Sequence, residues 1–342
     1  MPFGHYNELY RPDQFLAVTR PLLYASPDSL DLVVRLNSPR AVLSSGYTDI
    51  GARINYYPHK EHPWILTELT AYVINGLGEV SNRQRTFPSP SSLLVPPPPI
   101  EGVSIDFGHQ NNNLADNNNN KTAGGRISFA LGDLRIPLPI PIPESRRELK
   151  GVNFGLSAMD GRYDLEQGQD YFILGVDARF QYLDFSINAE YIYSDTDFKS
   201  PQADTNTVVN TPLSTSNMPS SIEINRGFYV QAVFPVMRKM PVGDKLLGIL
   251  VYNRMERRGP RLVFSSNTQF GANGNLPVAA FPVQSERIST QITKYTAALN
   301  YQWSRNFIIK GEYSYWDISV PPVAGVSQTS INQSAFSMVF SF

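Results

Sequence analysis

The chain contains no cysteine. Disulfides, thiolate metal sites and covalent haem attachment are therefore excluded. Charge is sparse: Asp, Glu, Lys and Arg make up 17% of the 342 residues, below the roughly 25% usual in soluble proteins. Neither sign dominates, with 29 bases against 30 acids and a net charge of −1, so no basic field points to nucleic acid. There is no run of about 18 apolar residues, and a transmembrane helix has no support. The opening Met1-Pro2-Phe3-Gly4-His5 has neither the basic nor the apolar region of a secretory signal. β-strands escape the hydropathy test, because their alternation dilutes the signal.

What the chain does have is aromatic side chains, 12% of all residues, set in long stretches of period-two alternation. The clearest is 173–193. Leu174, Val176, Ala178, Phe180 and Tyr182 alternate with Gly175, Asp177, Arg179 and Gln181. After Leu183-Asp184, Phe185, Ile187, Ala189, Tyr191 and Tyr193 alternate with Ser186, Asn188, Glu190 and Ile192. Two such runs around a short turn predict a hairpin. The same pattern recurs around Ile127–Leu131, Val152–Ala158, Phe228–Phe234, Tyr295–Trp303, Ile309–Tyr315 and Phe336–Phe342, with weaker candidates at 49–57, 64–76 and 246–256. A soluble β-sandwich also alternates. Here, however, the strands exceed the usual five or six residues, the apolar face ends in aromatics, and the opposite face carries Arg, Lys, Asp and Glu that a dry core would reject. The pattern therefore predicts an all-β transmembrane antiparallel β-barrel, apolar outside and wet within, forming one domain over 1–342.

Loop lengths set the topology, since outer-membrane barrels have short inner turns and long outer loops. Residues 160–170, 195–222 and 257–287 are expected outside. The turns 58–63, 183–184, 238–245 and 304–306 are expected inside, and 133–149 with them. Residues 79–121 read as one long outer loop, in which 103–107 is the segment that could add a strand. The count is about eleven strands, twelve with 103–107. An odd count starts strand 49–57 from outside, so the chain is expected to begin part-way through a barrel, with 1–48 a loop-rich start.

Several segments resemble the phosphate-selective porin family, the porin O and porin P group. Pro2-Phe3-Gly4 followed by Arg20-Pro21-Leu22 looks like that family's "PFG" strand end and "RPL" loop. Ala71-Tyr72-Val73-Ile74-Asn75-Gly76 looks like its "YxxNG" strand end. Asp116-Asn117-Asn118-Asn119-Asn120-Lys121 with Gly125-Arg126 resembles its "DNN…K…GR" entry to the next strand. Gly155-Leu156-Ser157, Gly227-Phe228-Tyr229-Val230-Gln231, Leu299-Asn300-Tyr301 and the terminal Phe342 also fit. The resemblance implies the C-terminal part of a sixteen-stranded barrel, a homotrimer, Arg20 in a constriction loop, and a terminal strand read by the barrel-assembly machinery through Phe342. The best-known members line their pores with many bases; this sequence departs there, and the likeness does not establish phosphate selectivity.

By parity the lumen-facing candidates are Arg53, Asn55, Arg126, Asp177, Arg179, Asn188, Glu190, Lys294, Lys310 and Glu312. Rings of one sign would set ion selectivity. Five bases beside three acids predict a mild anion preference, with Asp177/Arg179 and Lys310/Glu312 as expected pairs within the wall. His5, His59, His62 and His109 have no metal-site spacing, and there is no nucleophile elbow or phosphate-cradling loop. No cofactor and no catalysis are expected. The expected function is a bacterial outer-membrane porin, surrounded by lipid and passing small hydrophilic solutes or anions by passive diffusion. The alternative is a non-conducting docking barrel, such as a sleeve around a separate electron-transfer protein.

Overall fold

Alternation over ten or more residues produces strands long enough to pair along their whole length. A computed structural model describes residues 21–24, 39, 51–58, 65–75, 80–83, 101–104, 121–132, 151–162, 170–182, 185–198, 221–237, 245–264, 280–304, 307–320 and 329–340. Thirteen strands are described: β1 (Gly51–Tyr56), β2 (Ile65–Ile74), β3 (Val80–Arg83), β4 (Glu101–Ser104), β5 (Thr122–Gly132), β6 (Gly151–Arg162), β7 (Asp170–Tyr182), β8 (Phe185–Phe198), β9 (Ser221–Met237), β10 (Lys245–Phe264), β11 (Ala280–Ser304), β12 (Phe307–Ser319) and β13 (Ser330–Phe340). Among the described residues there is no helix long and apolar enough to cross a membrane.

The fold is all-β. Eleven strands form one antiparallel sheet in the order β1-β2-β5-β6-β7-β8-β9-β10-β11-β12-β13. Each strand pairs with its nearest neighbour in sequence, apart from the step between β2 and β5. Residues 101–104, at the edge of the segment that could have supplied a twelfth strand, instead pair with β3 in a separate two-stranded sheet. The expected single loop 79–121 therefore contains a small hairpin. Among the described residues β1 pairs only with β2 and β13 only with β12, so the sheet has two open edges and is not closed.

The hairpin of β10 and β11 corrects the expected loop 257–287. β10 runs for 20 residues and β11 for 25, paired out to Phe264 and Ala280. Arg257, Arg258, Gln291 and Thr290 carry no apolar contrast between faces, so this part of the hairpin reads as loop in the sequence. A register shift between Pro260 and Arg261 accommodates the proline, since a bulge relieves the missing donor. Arg20, most of 1–48, residues 133–149 and Phe342 lie outside the described residues.

One face of the sheet buries charged and polar side chains beside apolar ones, and the other exposes large apolar side chains. Buried positions include Arg126, Asp177, Asn188, Glu190, Asn253, Arg257, Lys294 and Glu312. Exposed positions include Ile54, Phe129, Phe154, Leu156, Leu250, Leu299, Tyr313, Phe336 and Met338. Aromatics gather at two levels of the exposed face. Toward the longer connections, Phe228, Tyr252, Tyr295 and Tyr315 form a ladder, with centroids 5.6 Å, 5.2 Å and 6.3 Å apart in succession. At the other end Phe180 meets Phe185 at 6.3 Å and Tyr301 meets Trp303 at 5.8 Å. From Tyr295 to Trp303 is about 26 Å along β11 at roughly 3.3 Å per residue. At a strand tilt near 40° that is about 20 Å in height, comparable to the apolar band of a membrane barrel.

Candidate functional site

One register row crosses the whole buried face. It runs Glu68, Ser128, Gly155, Asp177, Glu190, Tyr229, Asn253, Lys294, Trp316 and Ile331, one residue from each strand from β2 to β13. Strand parity alone sets which side chains share this face. All ten candidates chosen by parity lie on it in register. Arg53 and Asn55 oppose Tyr72 and Thr70, but on the edge strand β1 they remain exposed.

Arg126 grips Asp177 in a bidentate pair, 2.6 Å to Oδ2 and 2.9 Å to Oδ1, and also donates to Ser157 Oγ at 2.8 Å. The pair links β5 to β7 across β6. It can do so because Gly155 lies beneath: a Cβ there would overlap both the guanidinium and the carboxylate. Asp177 is therefore held by Arg126 and not by Arg179, as its spacing in sequence had predicted. Arg179 donates to Gln181 at 2.6 Å instead. Lys294 lies 4.0 Å from Glu312 and 5.0 Å from the centre of the Trp316 ring, so Glu312 faces a base on β11 as well as its strand neighbour Lys310. Lys310 and Asn188 are buried.

Sequence reasoning missed three features. The first is Arg257, fully buried and paired with Glu223 at 2.7 Å, with Asn225 donating to the same carboxylate at 2.9 Å. Arg257 lies in the stretch read as loop, and Glu223 and Asn225 fall between the predicted loop 195–222 and the alternation that begins at Phe228. The second is an apolar part of the buried face: Met159, Tyr171, Ile173, Ile192, Met255, Ile292 and Ile318 belong to one buried cluster. The third is Pro21–Tyr24, whose Leu22, Leu23 and Tyr24 join that cluster. Tyr24 N–H donates to Pro21 O at 3.0 Å, closing a turn. The Leu22 N–H donates to Asn253 Oδ1 at 3.4 Å, and the Tyr24 hydroxyl donates to Glu190 Oε1. Leu23 approaches β9 at Gly227, where a Cβ would come within 3.1 Å of its Cδ2. Tyr24 lies outside the strands; burial first, then the Glu190 charge, raise its phenol well above the ordinary value and keep it a neutral donor. The segment next to Arg20 thus rests on the middle of the polar row, and Pro21-Leu22 is the one sequence signal that marked it.

Among the described residues no group of three or more His, Asp or Glu could hold a metal ion. What the arrangement can do is offer polar and charged groups along a covered face while presenting hydrocarbon on the other. Such a sheet defines a class, antiparallel β-structure with charged groups on its covered face and hydrocarbon on its exposed one. Comparison with family models, curated proteins and solved structures finds no match for this chain.

Proposed function

We propose that this chain is the transmembrane sheet of a bacterial outer-membrane pore of the porin type, passing small hydrophilic solutes by passive diffusion. The observation that carries the reading is the polarity of the two faces: charged and polar side chains such as Arg126, Asp177, Glu190, Asn253 and Lys294 buried on one, and exposed hydrocarbon bounded by two aromatic levels on the other. Only a membrane rewards that arrangement, because lipid solvates the apolar face and the paired strands satisfy the backbone. The resemblance to phosphate-selective porins supports the same reading. Selectivity is mild, because Arg126, Arg257 and Lys294 each face a carboxylate. The long connections lie outside the cell and the short turns inside.

A second reading, a non-conducting docking barrel, is favoured by one observation: Leu22–Tyr24 rest on the central row, whose Asp177, Glu190, Asn253 and Lys294 are buried. Single-channel recording of the purified protein in planar bilayers separates the two. Stepwise ohmic conductance is expected of the pore. Insertion without conductance would discard it in favour of the docking barrel.

A further inference from the structure

One row closer to the short turns than Asp177 and Glu190, the covered face carries amides instead of ion pairs. Asn153 on β6 opposes Arg179 on β7, Arg179 opposes Asn188 on β8, and Asn188 opposes the buried Gln231 on β9. Asn188 is 2% exposed, yet neither its Nδ2 nor its Oδ1 has a partner among the described residues. Asn153 Oδ1 and Arg179 Nε are likewise enclosed and unpartnered. By contrast, on the same face Arg126 meets Asp177, Arg257 meets Glu223, and Thr296 bonds Ser314 at 2.9 Å. Three successive strands with unpaired polar atoms at one level occur only here among the described residues. Enclosed polar groups are bonded in the great majority of cases, and an unmade bond is costly. The row therefore gains from a molecule that supplies the missing bonds. Asn153 and Arg179 are only half-buried, so such a molecule reaches the row from their side.

Charge and spacing select the partner. Two bases and two acids surround the row, Arg126 and Arg179 against Asp177 and Glu190. Asp177 is held by Arg126, and Glu190 accepts from Tyr24. The charges balance, and no net field favours an ion. An anion offers only acceptors and would leave the Asn153 and Asn188 oxygens unmatched. A cation would leave the Asn188 nitrogen and Arg179 Nε unmatched. A hydroxyl both donates and accepts, and suits all of them. Neighbouring polar groups that do not touch can share a bridging oxygen. Strands repeat at about 4.8 Å, an interval close to that between hydroxyls on alternate carbons of a sugar ring. We propose that Asn153, Arg179, Asn188 and Gln231 form a solute subsite for a neutral polyhydroxylated molecule, a sugar or sugar alcohol. Asn188 turns its amide to the solute and exchanges an unpaired state for a bonded one. The proposal rests on the pore reading, which brings solute to this face.

The test titrates glucose into the purified full chain in a sugar-free detergent and reads binding by saturation-transfer difference NMR. Conductance of the same preparation is recorded in planar bilayers. The wild type is expected to bind glucose saturably. Tetraethylene glycol, similar in size but with inner oxygens that only accept, should not saturate. Asn188→Leu should weaken glucose binding about tenfold, the ratio for losing one or two neutral hydrogen bonds. Its stability in urea should hold or rise, because an apolar side chain of similar volume replaces an unsatisfied amide. Thr296→Val, three strands away in the same row and already bonded to Ser314, should leave glucose binding unchanged. Inorganic phosphate at equal concentration should not displace glucose. No saturable binding in the wild type, equal saturation by tetraethylene glycol, or displacement by phosphate would overturn the subsite. So would unchanged binding or lowered stability in Asn188→Leu, or equal loss in Thr296→Val. Conductance is read independently: a conducting protein without glucose binding sinks this proposal alone, and glucose binding without conductance keeps the subsite and sinks the pore.

Discussion

Gly155 shows how much a single missing atom decides. The buried pair of Arg126 and Asp177 reaches over β6 only because position 155 carries no Cβ. Gly155→Ala should force the pair apart, and Asp177→Asn should leave the guanidinium uncompensated. Removing one partner of a buried pair costs about 3–5 kcal/mol. Both variants should therefore lose about 3 kcal/mol or more in urea unfolding from detergent or lipid, with Gly155→Ala the more informative because it deletes no charge. Wild-type stability in Gly155→Ala would mean that the pair is not formed. Arg179, by contrast, bonds only a neutral amide among the described residues. Its removal should move the reversal potential in a salt gradient toward cation preference, because a base that lowers the barrier for anions has gone. An unchanged potential in Arg179→Gln would assign the selectivity elsewhere.

At the scale of elements, the segment Pro21–Tyr24 and the alternating connections matter most. Leu22, Leu23 and Tyr24 seat on β8, β9 and β10 through Glu190, Gly227 and Asn253. Replacing Leu22 and Leu23 by Ser removes the apolar surface that holds this turn in the buried cluster. Two buried leucines contribute about 1.5–3 kcal/mol each, so the turn should release and conductance should rise. Lower or unchanged conductance would show that the turn does not narrow the path. The connections are tested by using the absence of native cysteine. Single cysteines introduced at Gln167 and Ser214 should react on intact cells with a membrane-impermeant maleimide. Those at Asp184 and Arg305 should react only after the outer membrane is opened. The opposite labelling would invert the topology.

On the scale of the whole molecule, the two faces of the sheet set opposite demands on their surroundings. Leu250, Leu299, Tyr313 and Phe336 are exposed on one face while Arg257 and Lys294 are buried on the other. In water the first set would drive aggregation and the second would carry a heavy desolvation cost. On the proposed membrane reading lipid removes the first penalty; pairing with Glu223 and Glu312 reduces the second. The protein should therefore require detergent or lipid to remain monodisperse, and its strand content by circular dichroism should be lost on transfer to detergent-free buffer. A monodisperse species in plain buffer would contradict the membrane reading. The aromatic levels of β11 add a further check: a fluorescence quencher at the acyl-chain ends should quench Trp303 less than one at the headgroup, since aromatics favour the interface.

The sequence by itself determined the all-β class, the positions of the alternating strands and the facing of the side chains within them. A strand has only two faces, so alternation from Leu174 to Tyr182 assigns Asp177 and Arg179 to one of them without any knowledge of neighbours. By register the ten residues from Arg53 to Glu312 share one side of the sheet, with Arg53 and Asn55 exposed at its edge. The tertiary structure decided which of these side chains meet. Pairing between strands depends on register, and register brought Arg126 to Asp177 over Gly155, Lys294 toward Glu312, and Arg257 to Glu223. It also decided how far the β10–β11 hairpin extends, because polar residues on both faces erase the alternation that reveals a strand while leaving its backbone free to pair. The seating of Leu22–Tyr24 on the central row is the clearest case. Those residues lie 231 positions from Asn253 and 166 from Glu190. Contacts across such distances are made by packing in three dimensions, and no local pattern encodes them.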